Sequence, residues 1–226
     1  MSEPNASRSP GDIIETNARV WERIYNERHP TYPAESFVRI AHRLISPEKD
    51  RRVLDFGCGS GEILVHLATR GFEVSGAEVS ETALQVAGQR LTAAGYPDRP
   101  LVKVPAGSAF PFPDASFDVV VSWGVLLFNT WETLPKMVAE IERVLVPGGR
   151  FIGTMTGPRD YFRAQGRPLG NDLYTLADGS NDGLVALVVS RDDLPKCFPG
   201  RDLEIGEFVH SFGGRDQHHW LVTYRK

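Results

Sequence analysis

The first residues with chemical potential lie at 53–64, VLDFGCGSGEIL, where Asp55 precedes Gly57, Gly59 and Gly61 and Cys58 stands between two of the glycines. Three missing Cβ atoms let the backbone turn sharply and approach a ligand closely. The helix expected from Glu62 would aim free amide groups at that ligand. A phosphate loop of the Walker type needs a Gly-Lys-Ser/Thr ending, which is not present here. A dinucleotide loop reads GxGxxG, whereas this run is GxGxG and lacks the wider final gap. Asp55 would also repel a pyrophosphate, yet it could hold a ligand amino group directly or through water. Glu78 ends the next apolar run, where an acid accepts hydrogen bonds from a ribose diol. A ribose, a positive amino group and no pyrophosphate point to S-adenosyl-L-methionine. Cys58 has no general base beside it in sequence and reads as a small filler of a tight turn.

Composition narrows the remaining classes. A chain of 226 residues is most simply one domain with a full core. A net charge of −4 argues against a nucleic-acid or membrane-surface binder. The polar start, MSEPNASRSPGD, lacks the apolar centre of a secretory signal, so a cytoplasmic location is expected. Cys58 and Cys197 make no disulfide framework, and no Cys/His cluster suggests a metal.

The elements that must position the loop follow a βα rhythm. Residues 1–10 read as a disordered tail. Apolar residues at 14, 18, 21, 24 and 25 give a helix ended by Pro30, and a second helix follows Pro33 with Phe37, Ile40, Ala41 and Leu44 on one face. RVLDFG, FEVSGAEV, PLVKVPA, FDVVVSWG and RFIGTMT read as strands, with helices between all but the third and fourth; Ser80 is placed to cap one of these helices and Ser190 a short later one. This predicts a Rossmann-like α/β domain, a mostly parallel sheet with helices on both faces. LEIGEFVHSF and HHWLVTYRK would close it as an antiparallel pair. Residues 11–48 are assigned to an amino-terminal helical cap or lid, 50–156 to the cofactor-binding core and 157–189 to a long acceptor-side loop, all within one domain spanning 11–226.

The linked stretches VLDFGCGSGEILVHLATRGFEVSGAEVSETAL, FPFPDASFDVVVSWGVL and IERVLVPGGRFIGT resemble the successive motifs of class I S-adenosylmethionine-dependent methyltransferases, over roughly residues 50–156. The resemblance implies seven strands in the order 3-2-1-4-5-7-6, with the last antiparallel. It places Asp55, Gly57, Cys58, Gly59 and Gly61 around the methionyl part, Glu78 on the ribose and Val79 against the adenine. Ser108 is the positional match for the residue that reads the adenine amino group, with the backbone of Ala109 as the alternative. Trp123 and Gly124 fall where a main-chain carbonyl meets the methionine amino group. The implied reaction is methyl transfer to an oxygen or nitrogen of a small-molecule metabolite, yielding S-adenosyl-L-homocysteine.

Acceptor candidates lie outside the matched stretches. Tyr25 and Tyr32, with Trp21, read either as helix packing or as a lid that excludes water. Tyr161 and Arg163, with Phe162 and Arg167, lie in the long loop, where an arginine could bind an anionic acceptor. His218 and His219 alternate between strand faces, so at most one of them points into a site, and His219 is taken as the substrate-side residue. No general base is assignable. Two other classes are carried beside the methyltransferase: a cofactor-binding regulatory protein without turnover, and an NAD-dependent oxidoreductase, which the glycine spacing disfavours.

Overall fold

The structure is a computed structural model that describes residues 9–28, 30, 35–177, 179–212 and 215–226. The chain runs α1 (Pro10–Arg28), α2 (Glu35–Leu44), β1 (Arg52–Phe56), α3 (Glu62–Ala68), β2 (Glu73–Glu78), α4 (Glu81–Ala93), β3 (Leu101–Lys103) and β4 (Phe117–Ser122). It continues through α5 (Leu134–Val144), β5 (Leu145–Thr156), α6 (Tyr161–Gln165), β6 (Arg167–Gly170), β7 (Leu173–Thr175), β8 (Val185–Leu187), α7 (Leu194–Cys197), β9 (Glu204–Phe212) and β10 (Arg215–Arg225). The main sheet has seven strands in the order β3-β2-β1-β4-β5-β10-β9. Its first five strands pair in parallel, and β10 runs antiparallel to both β5 and β9. Counted within the sheet alone this is the expected order; the labels differ because three further strands intervene.

Each central strand buries both faces, which explains its continuous apolar run. Leu54, Val120 and Phe151 point into one core layer under α5, while Val53, Val119, Val121 and Ile152 point into the other with α3 and α4. Ser80 caps α4 by accepting the Ala83 N–H at 3.0 Å, and Ser190 accepts the Asp193 N–H at 3.3 Å before α7.

Two expectations are corrected. Ser9 and Pro10 do not belong to a tail, since Ser9 caps α1 and Pro10 begins it. The Ser9 hydroxyl oxygen accepts the Asp12 N–H at 3.2 Å and the Asp12 carboxylate accepts the Ser9 N–H at 3.1 Å, a reciprocal cap with proline in the first turn. Residues 1–8 lie outside the described residues. The stretch 157–189 is not a loop: it holds α6 and a three-stranded antiparallel sheet, β6-β7-β8. A parallel bridge between Thr156 and Val188, and the Trp220 indole N–H donating to the Val189 carbonyl at 2.8 Å, fasten this small sheet to the main one.

The amino-terminal helix α1 lies against that small sheet, burying Val20 and Ile24 with Leu176, Leu184, Ala186 and Val188. Among the described residues no helix is long and apolar enough to cross a membrane.

Candidate functional site

A cavity of about 530 Å³ opens at the carboxyl ends of β1, β2, β4 and β5, within the ~300–1,000 Å³ range of small-molecule sites. The loop after β1 forms one wall. Gly57 and Cys58 both donate their N–H to the Ala77 carbonyl, at 2.7 and 3.2 Å, which folds the loop onto the end of β2. Gly57 has φ +76°, and a Cβ there would sit 2.2 Å from a Val125 methyl. A Cβ on Gly59 would sit 2.4 Å from the Tyr25 hydroxyl, so the α1 side chain lies directly on the loop. Gly61 packs against Ala87 behind the cavity and does not line it.

Two carboxylates face this wall without a cation partner among the described residues. Asp55 is 1% exposed and its Oδ2 is buried with no hydrogen-bond partner. Burial, and then the charges of Glu78 and Glu62, push its pKa up to about 8. Glu78 is held in place by backbone: Oε2 accepts the Gly59 N–H at 3.0 Å, while Oε1 accepts those of Val79 and Ser80 at 2.8 and 3.1 Å. Burial raises the Glu78 pKa, and these three bonds oppose that rise. Each carboxylate oxygen has two acceptor positions, so one remains on Oε2. Glu62, also in the wall, is paired with Arg90. The Cys58 thiol is pushed up by burial first and by Asp55 next, so it is a packed, un-ionised side chain.

Val79 and Trp123 line the cavity, as does the segment Val104–Gly107. Ser108 and Ala109 do not: the Ser108 N–H closes a turn onto the Pro105 carbonyl at 3.0 Å, and Ala109 is exposed. The expected strand PLVKVPA stops at Lys103, so the residues that follow the strand into the site come earlier than the motif suggests.

The opposite wall comes from elements far apart in sequence. Ile14, Asn17, Ala18, Trp21 and Tyr25 form one face of α1 at helical spacing. Asn17 anchors that face: its amide donates to the Phe128 and Val185 carbonyls at 3.0 and 2.9 Å and accepts the Val185 N–H at 2.8 Å. Trp21 meets Phe128 edge-on at 5.3 Å between centroids. Alternate positions on three adjacent strands complete the wall: Thr154 and Thr156 on β5, His219 and Gln217 on β10, and Phe208 and His210 on β9. Asp160 caps α6 and accepts both the Phe162 and the His218 N–H at 2.9 Å, joining α6 to β10. Burial pushes the Asp160 pKa up to about 6.

Of the acceptor-side expectations, Tyr25, Tyr161 and His219 line the cavity. Arg163 is exposed on α6 and points away from it, because the short helix turns Phe162 inward instead. Tyr32 lies outside the described residues. No lysine or arginine is among the described residues of the lining. Asn17, Phe128, Thr156, Asp160 and Phe208 were missed by sequence reasoning. Asn17 carried a signal, as a polar residue on an otherwise apolar helix face; Thr156 and Phe208 acquire meaning only through strand register, and Phe128 and Asp160 only through contacts with distant elements.

Residues 53–149 match the model of a family described as a methyltransferase domain. That match covers less than half of the chain, and it supports a class I S-adenosylmethionine-dependent methyltransferase. Among its curated relatives within these methyltransferases is demethylmenaquinone methyltransferase of Symbiobacterium thermophilum, 37% identical over 107 residues, which are 44% of this chain and 40% of that protein. The chain thus matches less than half the length of that relative. A longer match, at 29% identity, is to EEF1A lysine methyltransferase 4 of Mus musculus, over 72% of this chain and 71% of that one. In fold it resembles the Burkholderia thailandensis 1,6-didemethyltoxoflavin-N1-methyltransferase, with a TM-score of 0.73 at 17% identity, covering 100% of this chain and 93% of that one.

The residues present fit the methyl donor of this family. A loop of glycines that a Cβ would block, a fixed Glu78 with an acceptor position left, and a buried, unpartnered Asp55 oxygen suit a ligand bearing hydroxyls and a cation. Among the described residues no group of three or more potential metal ligands occurs.

Proposed function

We propose that this chain transfers the methyl group of S-adenosyl-L-methionine to an oxygen or nitrogen of a small-molecule acceptor. The observation that carries the reading is one cavity with two unlike ends, a pair of buried carboxylates with no cation partner among the described residues at one and an aromatic wall with no lysine or arginine among its described residues at the other. When bound, S-adenosyl-L-methionine supplies an electrophilic methyl carbon on a sulfonium centre. Asp55 holds the ligand's amino group, Glu78 takes ribose hydroxyls, and Gly57, Cys58 and Gly59 supply close backbone. Val79 packs on the adenine edge with Val104–Gly107 opposite, and Trp123–Gly124 borders the methionyl part. The α1 face, with Tyr25 over Gly59, excludes water from the centre where charge is lost. Tyr161 and Phe128 border the acceptor. The protein's contribution is therefore position and shielding.

The absence of lysine and arginine from the described lining supports a neutral or cationic acceptor and argues against a carboxylate or phosphate. The same feature supports a second reading in which the acceptor is an amine such as a lysine side chain. Calorimetry with S-adenosylmethionine, S-adenosylhomocysteine and NAD tests the donor. Binding of both sulfur nucleotides and not NAD is expected; binding of neither removes the methyltransferase reading. Formation of S-adenosylhomocysteine against a panel of phenols, heteroaromatics and lysine peptides separates an enzyme from a regulatory binder and the two acceptor classes from each other.

A further inference from the structure

Among the described residues, three that line the cavity carry a buried side-chain polar atom without a partner: Asp55 at the donor end, and Thr156 and His219 at the other. Thr156 and His219 are directly opposed across the β5–β10 pairing, so both side chains leave the same face of the sheet. The His219 ring is fixed from the β9 side by Phe208, 5.1 Å between centroids, and Phe208 stacks at 5.7 Å on Trp123, which borders the donor end. The backbone next to His219 is held too, since the His218 N–H is bonded to Asp160. A buried Thr hydroxyl and imidazole nitrogen left unmatched cost free energy, each about 1–3 kcal/mol, unless something completes them. Ordinary packing would have placed apolar side chains there, as it does at Phe208.

We propose that His219 and Thr156 form the recognition pair of the acceptor site, reading an O–H or N–H donor on a flat, uncharged acceptor, and that His219 Nδ1 takes its proton. The inference rests on the methyl-transfer reading above. The acceptor lone pair forms the new bond to the methyl carbon, the pair of the broken C–S bond stays on sulfur, and the acceptor's proton passes to Nδ1. One positive charge leaves the sulfonium and one appears on the imidazole, so charge balances. Burial, and then His218, pull the His219 pKa down to about 4, so the ring waits as a neutral acceptor. A weak base suits a proton that turns acidic only as the methyl bond forms. The Thr156 hydroxyl can donate to the same acceptor atom and fix its lone pair toward the donor end. Flatness follows from the aromatic lining, to which Trp21, Phe128 and Phe208 contribute.

The test measures binding to the protein loaded with S-adenosylhomocysteine, so that it does not depend on turnover. The probes are 4-methylphenol against 4-methylanisole, and indole against 1-methylindole, each pair uncharged and differing by replacement of the donor hydrogen. At least one donor-bearing probe is expected to bind 10-fold or more tightly than its methylated partner. His219→Phe keeps the ring packing on Phe208, and Thr156→Val keeps the shape of the strand; the preference should fall to below about 3-fold in the first and be reduced in the second. S-adenosylhomocysteine affinity should stay unchanged in both. No binding by either donor-bearing probe, equal binding within each pair, or a preference that survives both substitutions overturns the proposal. Failure of S-adenosylhomocysteine to bind the wild-type protein would instead overturn the methyl-transfer reading itself.

Discussion

The proposed donor end and the proposed acceptor end of the cavity are built on different principles. At the first, the atoms offered to a ligand are backbone amides and two acids within a single βαβ stretch, from Asp55 to Glu78. At the acceptor end they are side chains brought together across the whole chain, with Asn17 bonded to Val185 and Asp160 to His218. The first design depends on glycine geometry and tolerates little variation, since any Cβ at Gly57 meets Val125. The second can be rewritten one side chain at a time without disturbing the loop. A fold that fixes its donor and varies its acceptor would divide its labour this way.

The sharpest way to break the donor end is Asp55→Asn. Loss of a buried ionic hydrogen bond to the ligand amino group, worth ~2–3 kcal/mol, should weaken S-adenosylmethionine binding on the order of 100-fold by calorimetry. The wild-type protein should also show a pH dependence that the variant lacks. With its pKa raised to about 8 from 3.8, Asp55 holds a proton at neutral pH in the ligand-free protein, and a cationic ligand must displace it. Affinity should therefore rise with pH and level off above about 8. Stability runs the other way. The folded state binds the extra proton between these two values, so the ligand-free protein loses stability as pH rises from about 4 to 8. In Asp55→Asn the thermal midpoint at pH 8 should exceed that of the wild type. A variant that binds normally, or a flat pH profile in the wild type, would show that Asp55 does not face the amino group.

Asn17→Ala is the corresponding break at the acceptor end. It strips partners from two carbonyls and one N–H, at a cost of about 2–4 kcal/mol in chemical denaturation. Hydrogen exchange should speed up in β7 and β8 but not in β1 or β2. Uniform acceleration would mean that the two ends are one cooperative unit.

What the sequence disclosed follows the same division. The Ser80 cap was legible because it acts within three residues of its partner, and the turn of glycines between Asp55 and Glu78 was legible because it interrupts two apolar runs. The strand order followed from the family resemblance, while the central strands themselves were legible as continuous apolar runs. The three short strands at 167–187 were not, since runs of three or four residues broken by glycine and proline are too short for alternation to show. Thr156 and His219 belong to strands that were recognised, yet their juxtaposition depends on a register no local pattern encodes. Ser108 was misplaced because a strand of three residues ends sooner than its apolar neighbourhood suggests.

A smaller effect sharpens the contrast in the opposite direction. Gly59→Ala would direct a methyl at the Tyr25 hydroxyl, the far end of a side chain that can swing aside, at a backbone φ of +52°. The strain of a left-handed alanine is about 1 kcal/mol, and displacement of Tyr25 adds to it. Donor affinity should fall by about 10-fold, and Tyr25→Phe in the same background should recover part of the loss by removing the atom in conflict. Such recovery, measured as a double-mutant cycle, would locate the coupling between the two ends at this contact. Its absence would leave Asn17 as the main tie of α1 to the rest of the site.

The least effect is expected at Cys58, the residue that looks most reactive in the sequence. Its thiol is 6% exposed and its pKa is raised by burial and by the acids beside it, so little thiolate forms. Alkylation by iodoacetamide should be slow in the folded protein, and Cys58→Ala should leave donor affinity within about 3-fold, because truncating this small side chain removes only a little packing, on the order of 0.5 kcal/mol. A rapid, protectable alkylation at Cys58 would contradict this and would make the side chain, rather than the backbone that carries it, part of the donor end.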